Sequence, residues 1–529
     1  EFQTKESRVN LSTETSQKHF FDNFELEVDS VFGNLLYSTI NLFNCKYGVS
    51  PFLTGAYDFW KKSYGIRPKD IPQKWKKIFE NIGLNQYDTS DLCKFMFCLE
   101  TSYAFFTHLV LIKACADYRF TGVDLFTFIK NEIENSSRGN EIPIVSWATL
   151  SVKLIDTMQV RLIKSVFEED VFYWWTDEFK KLTPSDMWSP IIPMASRELS
   201  EAIANILLAL CKYDFSEIVG DPLGDLYQKY FDKETRRALG EFYTPVEIVE
   251  YIIDVVGYKG SAILDKRLLD PACGSGTFLI SALKKYLRVA EKLASEKGWD
   301  YILHKLCNEF HIVGFDIHPF AILLAQTQFM LTLAPYYKKA MEQNKEFVLR
   351  RLPIFRTDSL RYESKTEKTT LFTFGNRSVT VSLTLPIQNE NKEQESIDLI
   401  MPNLTEVISE STGLLNIPEY FLALQALFDT VKESAKYDIY ELDLKELEWN
   451  FKRYLQDKDM SKLVNFFGVY AKNFLSSTKN LKINFEDGRL IKSIEDLIIA
   501  GLLKNYVTYD FVVGNPPYVR KERISNKKE

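Results

Sequence analysis

Leu268-Leu269-Asp270-Pro271-Ala272-Cys273-Gly274-Ser275-Gly276-Thr277-Phe278-Leu279 passes from an apolar run into a glycine-bracketed turn and then into a new apolar-periodic stretch. It reads as a buried strand, a sharp turn and a helix from Phe278 to about Ser295. Glycines at 274 and 276 permit the tight reversal and let a ligand approach the backbone closely. The third glycine of the dinucleotide fingerprint is absent, and no Walker lysine follows. The turn therefore suits a nucleoside-type ligand better than a cradled phosphate.

The residues downstream repeat the unit. His311-Ile312-Val313-Gly314-Phe315-Asp316-Ile317 reads as a second parallel strand ending in an acid, a position from which a carboxylate can hold ribose hydroxyls. Asp316 comes 46 residues after Asp270, where about 20 is usual, so an extra helix over Tyr301–Glu309 is expected between them. A helix over Pro319–Ala334 follows. Leu352 to Leu360 then reads as a third strand with Asp358 at its carboxyl end. Acids and a glycine turn at the carboxyl ends of successive strands predict an α/β fold with an open, doubly wound, mostly parallel sheet. Upstream, Gly240-Glu241-Phe242-Tyr243-Thr244-Pro245 leads into a helix over Val246–Val256. Thr244 at the N-cap, Pro245 at the first helical position and Glu247 at the third form a capping-box pattern.

The other chemically pointed stretch is Asp510-Phe511-Val512-Val513-Gly514-Asn515-Pro516-Pro517-Tyr518. It reads as a buried strand that stops in a rigid turn, because each proline fixes its own φ and lacks an N–H and restrains the residue before it. The Asn515 side-chain oxygen and the Pro516 carbonyl are left to face a donor, such as the amino group of an aromatic base, with the Tyr518 ring beside them. Ile397-Asp398-Leu399-Ile400-Met401-Pro402-Asn403 also leads a strand into Asn, but lacks both prolines and the aromatic. Between Arg361 and Tyr509 the repeat is interrupted, with a hairpin turning near Gly375-Asn376 and then amphipathic helices over 416–504.

Residues 1 to about 215 carry helical periodicity with few strand signals, as in Leu199–Lys212. Four segments are thus expected: an all-helical N-terminal domain (1–220), the cofactor half of the sheet (221–360), an insertion of hairpin and helices (361–505) and the strand-and-turn segment (506–529). The aromatic run Phe172-Tyr173-Trp174-Trp175 is expected to pack in a core rather than stack on bases. With 46% hydrophobic and 26% charged residues the composition is that of a globular protein. The net charge of −7 gives no global attraction for nucleic acid, though a local basic cleft remains compatible with it. Seven cysteines show no C-x-x-C pair and no metal-ligand spacing. They suit reduced thiols in the cytoplasm, and no metal site is expected. The apolar stretch around Pro319–Tyr337 contains Gln326 and Gln328 and fits a buried helix rather than a membrane span. The chain lacks an initial Met and stops soon after Tyr518, so it is expected to be a fragment, poorly active or inactive alone.

Taken in order, Phe242 to Pro245, Asp270 to Leu279, Asp316, Asp358 and Asn515-Pro516-Pro517-Tyr518 resemble the motifs of the adenine-N6 DNA methyltransferases. The long helical lead, with Leu223-Gly224 and Tyr227 ahead of them, is similar to the large restriction–modification and phage-defence members. The resemblance covers residues 221–520. It implies a Rossmann-like core using S-adenosylmethionine, with double-stranded DNA and other restriction or defence subunits or domains as partners. It implies that Tyr243, Thr244 and Pro245 lie at the methionine end of the cofactor. Asp270, Ala272, Gly274 and Gly276 would contact its methionyl and sugar parts, Asp316 and Ile317 its nucleoside, and Asp358 its adenine amino group. Asn515 and Pro516 would accept hydrogen bonds from the amino group of a flipped-out adenine, with Pro517 and Tyr518 completing the turn. Two other readings stay open: methylation of protein glutamine or RNA adenine, which present similar planar groups, and a non-catalytic subunit sensing DNA or cofactor.

Overall fold

A computed structural model describes residues 8–516 apart from 64–72, 82–88, 121–124, 139–140, 162–165, 167–170, 217–243, 358–365, 370–376, 389–393, 403–414, 437–440, 456–457, 481–488 and positions 181, 184, 346, 348 and 350. Tyr243, Asp358, Pro517 and Tyr518 lie outside the described residues.

The first 210 residues are helical because their apolar residues recur three and four apart. The central helix, Thr89–Asp117, is apolar on every side and buried, and the helices Val31–Lys46, Ser146–Arg161 and Met194–Leu210 surround it. Within it, Asp91–Asp117 is long and apolar enough to cross a membrane, but its most apolar window is wholly enclosed by protein. Phe172, Tyr173, Trp174 and Trp175 are all buried in this core, so the aromatic run is packing.

The region is not purely helical. Two short strands, β1 (Val9–Asn10) and β2 (Tyr213–Asp214), pair in parallel and bring its two ends together. Lys113 explains the closure: its buried ammonium donates to the Tyr213 carbonyl at 2.7 Å and pairs with Asp117, which also accepts the Phe215 N–H at 2.9 Å and pairs with Arg8 at 3.4 Å. Two residues per strand give almost no periodicity to read.

The sheet that matters for function is built from β3 (Leu268–Asp270), β4 (Ile312–Asp316), β5 (Ile354–Arg356) and β9 (Phe511–Val512). Its order is β5-β4-β3-β9, and all three pairings are parallel. The chain steps outward from β3 to β5 and returns, more than 150 residues later, to the opposite side of β3. The helix Trp299–Asn308 fills the extended gap between β3 and β4. A separate antiparallel sheet contains β6 (Thr366–Thr369), β7 (Arg377–Gln388) and β8 (Gln394–Pro402). The expected hairpin thus gains a third strand, and Ile397–Pro402 belongs to it rather than to the parallel sheet. The helices Ile417–Lys436, Leu444–Tyr454, Met460–Asn480 and Arg489–Tyr506 follow.

Strand alternation sends side chains to two different cores. Leu268, Ile312, Ile354 and Val513 join the core shared with the N-terminal helices and the helices Thr277–Lys297 and Pro319–Gln343. Val313, Phe315 and Phe355 join a second core with the insertion helices. The N-terminal region is therefore not set apart from the sheet: Tyr103 packs on Phe320 and Phe120 on Tyr337, with ring centres 5.6 and 5.2 Å apart. At β9 the second cover stops. Val512 is 60% exposed, so the strand read as buried is buried on one face only.

Candidate active site

β3 and β9 lie side by side, so their carboxyl ends bring Asp270 against Gly514, the residue before Asn515. Asp510 sets this register. Its carboxylate accepts the Arg267 N–H at 2.9 Å, while Asp510 N and Phe511 N both donate to the Arg267 carbonyl. Val513 N then donates to Leu269 O at 2.9 Å, which delivers the turn beside Asp270. Gly514 is the residue that allows the approach, because a Cβ there would stand 2.6 Å from Asp270 Oδ1.

Asp270 is fully buried. Oδ1 accepts the Ala272 N–H at 3.1 Å, and Oδ2 has no hydrogen-bond partner. Burial pushes the carboxyl up to about 8, with the neighbouring Asp316 adding to the rise and the Ala272 N–H opposing it. Among the described residues nothing donates to this oxygen, and an unsatisfied buried polar atom costs on the order of 1–3 kcal/mol.

The glycine turn is braced by the second strand. Cys273 N donates to Phe315 O at 2.8 Å and Gly274 N to Asp316 Oδ2 at 2.9 Å. Asp316 Oδ1 accepts the His318 N–H at 2.8 Å. Burial raises the Asp316 carboxyl and these N–H groups pull it back. Both oxygens of Asp316 are thus already spent once on the chain itself. Gly314 makes the contact possible: its missing Cβ would collide with Leu279 Cδ1 and crowd Cys273 Sγ. Cys273 is buried and its thiol held far above the usual range by burial, which suits packing and not reactivity.

Gly276 has φ +96° and sits 3.2 Å, at its virtual Cβ, from Ala325 Cβ, so the turn packs directly on the Pro319–Gln343 helix. Gly274, at φ +53°, has nothing within 4 Å of its virtual Cβ. The turn is tight on its inner side and open on its outer side, the shape expected where a ligand meets backbone. Ile317, immediately after Asp316, is 51% exposed and offers an apolar surface at the same edge.

The capping box is overturned. Pro245 is the N-cap of the Val246–Val255 helix, and no side chain caps it. The Thr244 hydroxyl is used elsewhere, accepting from Asn515 Nδ2 at 3.1 Å. Long-range geometry outcompetes the local cap. Asp270, Ala272, Gly274, Gly276, Asp316 and Ile317 thus share one edge of the sheet, and Thr244, which precedes Pro245, is joined to Asn515, which precedes Pro516, by that hydrogen bond. Sequence reasoning missed Gly514, Gly314, Asp510 and His318. Glycines inside or beside strands were the available signal for the first two. His318 lies buried with Nε2 3.7 Å from Glu100 of the central N-terminal helix, and nothing local announces that contact.

Residues 218–347 match the family described as N-6 DNA Methylase, and residues 311–529 match the Eco57I restriction-modification methylases. Among individual proteins, the methylase subunit of the type I restriction enzyme MjaVII from Methanocaldococcus jannaschii is 45% identical over 74 residues, 13% of this chain and 12% of that protein. The MjaIX methylase subunit of the same organism is 35% identical over 127 residues, 22% of this chain and 19% of the relative. The adenine-specific methyltransferase PglX of Streptomyces coelicolor is 27% identical over 117 residues, 21% of this chain and 9% of the relative. The aligned segments thus span less than a fifth of each of these relatives. Residues 218–529 are thus similar to the adenine-N6 DNA methyltransferases of restriction–modification type.

Proposed function

We propose that this protein transfers a methyl group from S-adenosylmethionine to the N6 amine of a flipped-out adenine in double-stranded DNA, within a restriction–modification or phage-defence system. The observation that carries the reading is that two adjacent parallel strands set Gly514, the residue before Asn515-Pro516, against Asp270. In an open α/β sheet the ligand crevice lies outside the strands' carboxyl ends where the strand order reverses, and here that point is the β3–β9 boundary. We read the sheet as a Rossmann-like, doubly wound methyltransferase core on that ground.

The residues fit the cofactor. The unpartnered Oδ2 of Asp270 suits its ammonium or a hydroxyl, the open outer side of Gly274 admits a sugar or methionyl group, and Ile317 offers an apolar face for a base. Once bound, S-adenosylmethionine supplies an electrophilic methyl group on a sulfonium. Asp316, already bonded to Gly274 and His318, holds the turn in shape and keeps lone pairs for the ribose. Asp358 is proposed to meet the adenine amino group.

The amine of adenine is a weak nucleophile because its lone pair is delocalised into the ring. Asn515 Oδ1 and the Pro516 carbonyl are the acceptors for its two hydrogens, and accepting them concentrates the lone pair on nitrogen. Preorganised acceptors and proximity then carry the rate, with no protein nucleophile. Flipping the base costs on the order of a few kcal/mol, and the Tyr518 ring is proposed to stack on it. Tritiated S-adenosylmethionine supplied with duplex DNA, RNA or a release-factor-type protein distinguishes the readings. Label is expected in DNA alone; label in RNA or on protein glutamine would transfer the site to those substrates.

A further inference from the structure

We infer that Thr244 is a positioning residue for the catalytic amide, fixing which end of Asn515 faces the substrate amine. The inference rests on the methyl-transfer reading and goes beyond the placement of Thr244 at the cofactor. A primary amide has an acceptor end and a donor end that are nearly identical in shape. Only the acceptor end can take a hydrogen from an adenine amine; the donor end would set N–H against N–H. Asn515 Nδ2 donates to Thr244 Oγ1 at 3.1 Å, which commits the donor end and leaves Oδ1 for the substrate.

Two features hold this contact in place. Both partners precede a proline, Thr244-Pro245 and Asn515-Pro516, and a residue before proline is confined to extended backbone. The bond therefore joins two backbones that are already restrained, although 271 residues separate them. The hydroxyl is also free of any helix-capping duty, since Pro245 takes the N-cap position without a side-chain bond. Gly514 and the Leu269 carbonyl fix the turn from its other side, so Thr244 is what remains to set the rotation of the amide.

Thr244→Val keeps the shape and removes the acceptor; Thr244→Ser keeps it. In the intact protein, nitrogen-15 asparagine labelling, with Asn515 assigned through Asn515→Ala, reports the side-chain amide directly. The expected result is a shifted and faster-exchanging Asn515 amide hydrogen in Thr244→Val and a near-native one in Thr244→Ser. In single-turnover methylation of duplex DNA, Thr244→Val is expected to be slower by roughly 10- to 100-fold at saturating cofactor, a loss exceeding any loss of S-adenosylmethionine affinity. Thr244→Ser is expected to restore most of the rate. An Asn515 amide indifferent to Thr244→Val overturns the inference whatever the activity. So does a rate loss matched by an equal loss of cofactor affinity, which would make Thr244 a cofactor contact only. If the amide responds as expected while the wild type leaves DNA unmethylated, the contact stands and the methyl-transfer reading falls.

Discussion

Asp270 is held in its raised state by burial, and an incoming cation would reverse that preference. On the proposed reading in which Asp270 meets the cofactor ammonium, S-adenosylmethionine affinity is expected to strengthen as the carboxyl ionises with pH rising through about 8. Asp270→Asn should weaken binding at least about tenfold and flatten that pH dependence, as titration calorimetry can show. The stability effect runs the other way. A carboxyl whose folded pKa lies above its unfolded value stabilises the fold at low pH and loses that contribution as pH rises through the folded value. Cofactor-free Asp270→Asn is therefore expected to lose less stability than wild type between about pH 5 and about pH 9, read by urea denaturation. Gly514 makes a separate prediction. The Cβ of Gly514→Ala would displace Asp270 Oδ1 or the turn, and methylation is expected to fall at least about tenfold with cofactor affinity reduced as well.

Among the elements, the glycine turn was legible because glycine declares its backbone demands locally. The parallel strands β3 and β4 were legible too, since Asp270 and Asp316 mark their carboxyl ends, whereas Asp358 and Pro517 lie outside the described residues. What stayed hidden were facts decided by distant partners: the Thr244 hydroxyl leaving its helix for Asn515, His318 meeting Glu100, and β8 joining β7. The bare face of Val512 was hidden for the same reason, because alternation says where a side chain points and not what covers it. One element-scale contact is energetically decisive. Arg351, just before β5, pairs with Glu495 and Asp496 on the Arg489–Tyr506 helix and bonds Gln425 at 3.2 Å. All three charged side chains are nearly buried, so removing the cation deprives two buried carboxylates of the Arg351 guanidinium. Arg351→Met is expected to cost about 3–5 kcal/mol in urea unfolding and to loosen the insertion helices from β5.

For the whole molecule, the core that holds the N-terminal helices continues through Phe320 into the parallel sheet. Phe320 meets Tyr103 and Phe172 and stands two residues after His318. Phe320→Ala is expected to cost about 3–5 kcal/mol and to raise hydrogen exchange in both the Thr89–Asp117 helix and the glycine turn. Exchange confined to one side would show two independent bodies. The helical region is then a platform bearing on the back of the glycine turn, while β9, braced by β3 and Asp510, leads into Asn515. The central claim is that Asn515 performs the chemistry without holding the cofactor. Its most direct test is mass spectrometry of duplex DNA incubated with S-adenosylmethionine and either the full-length wild-type protein or its full-length Asn515→Ala variant, with cofactor binding measured on both. The account predicts N6-methyladenine from the wild type, a loss of at least about 100-fold in the variant, and equal cofactor affinity. Undiminished methylation by Asn515→Ala, or loss of cofactor binding in step with it, would contradict it.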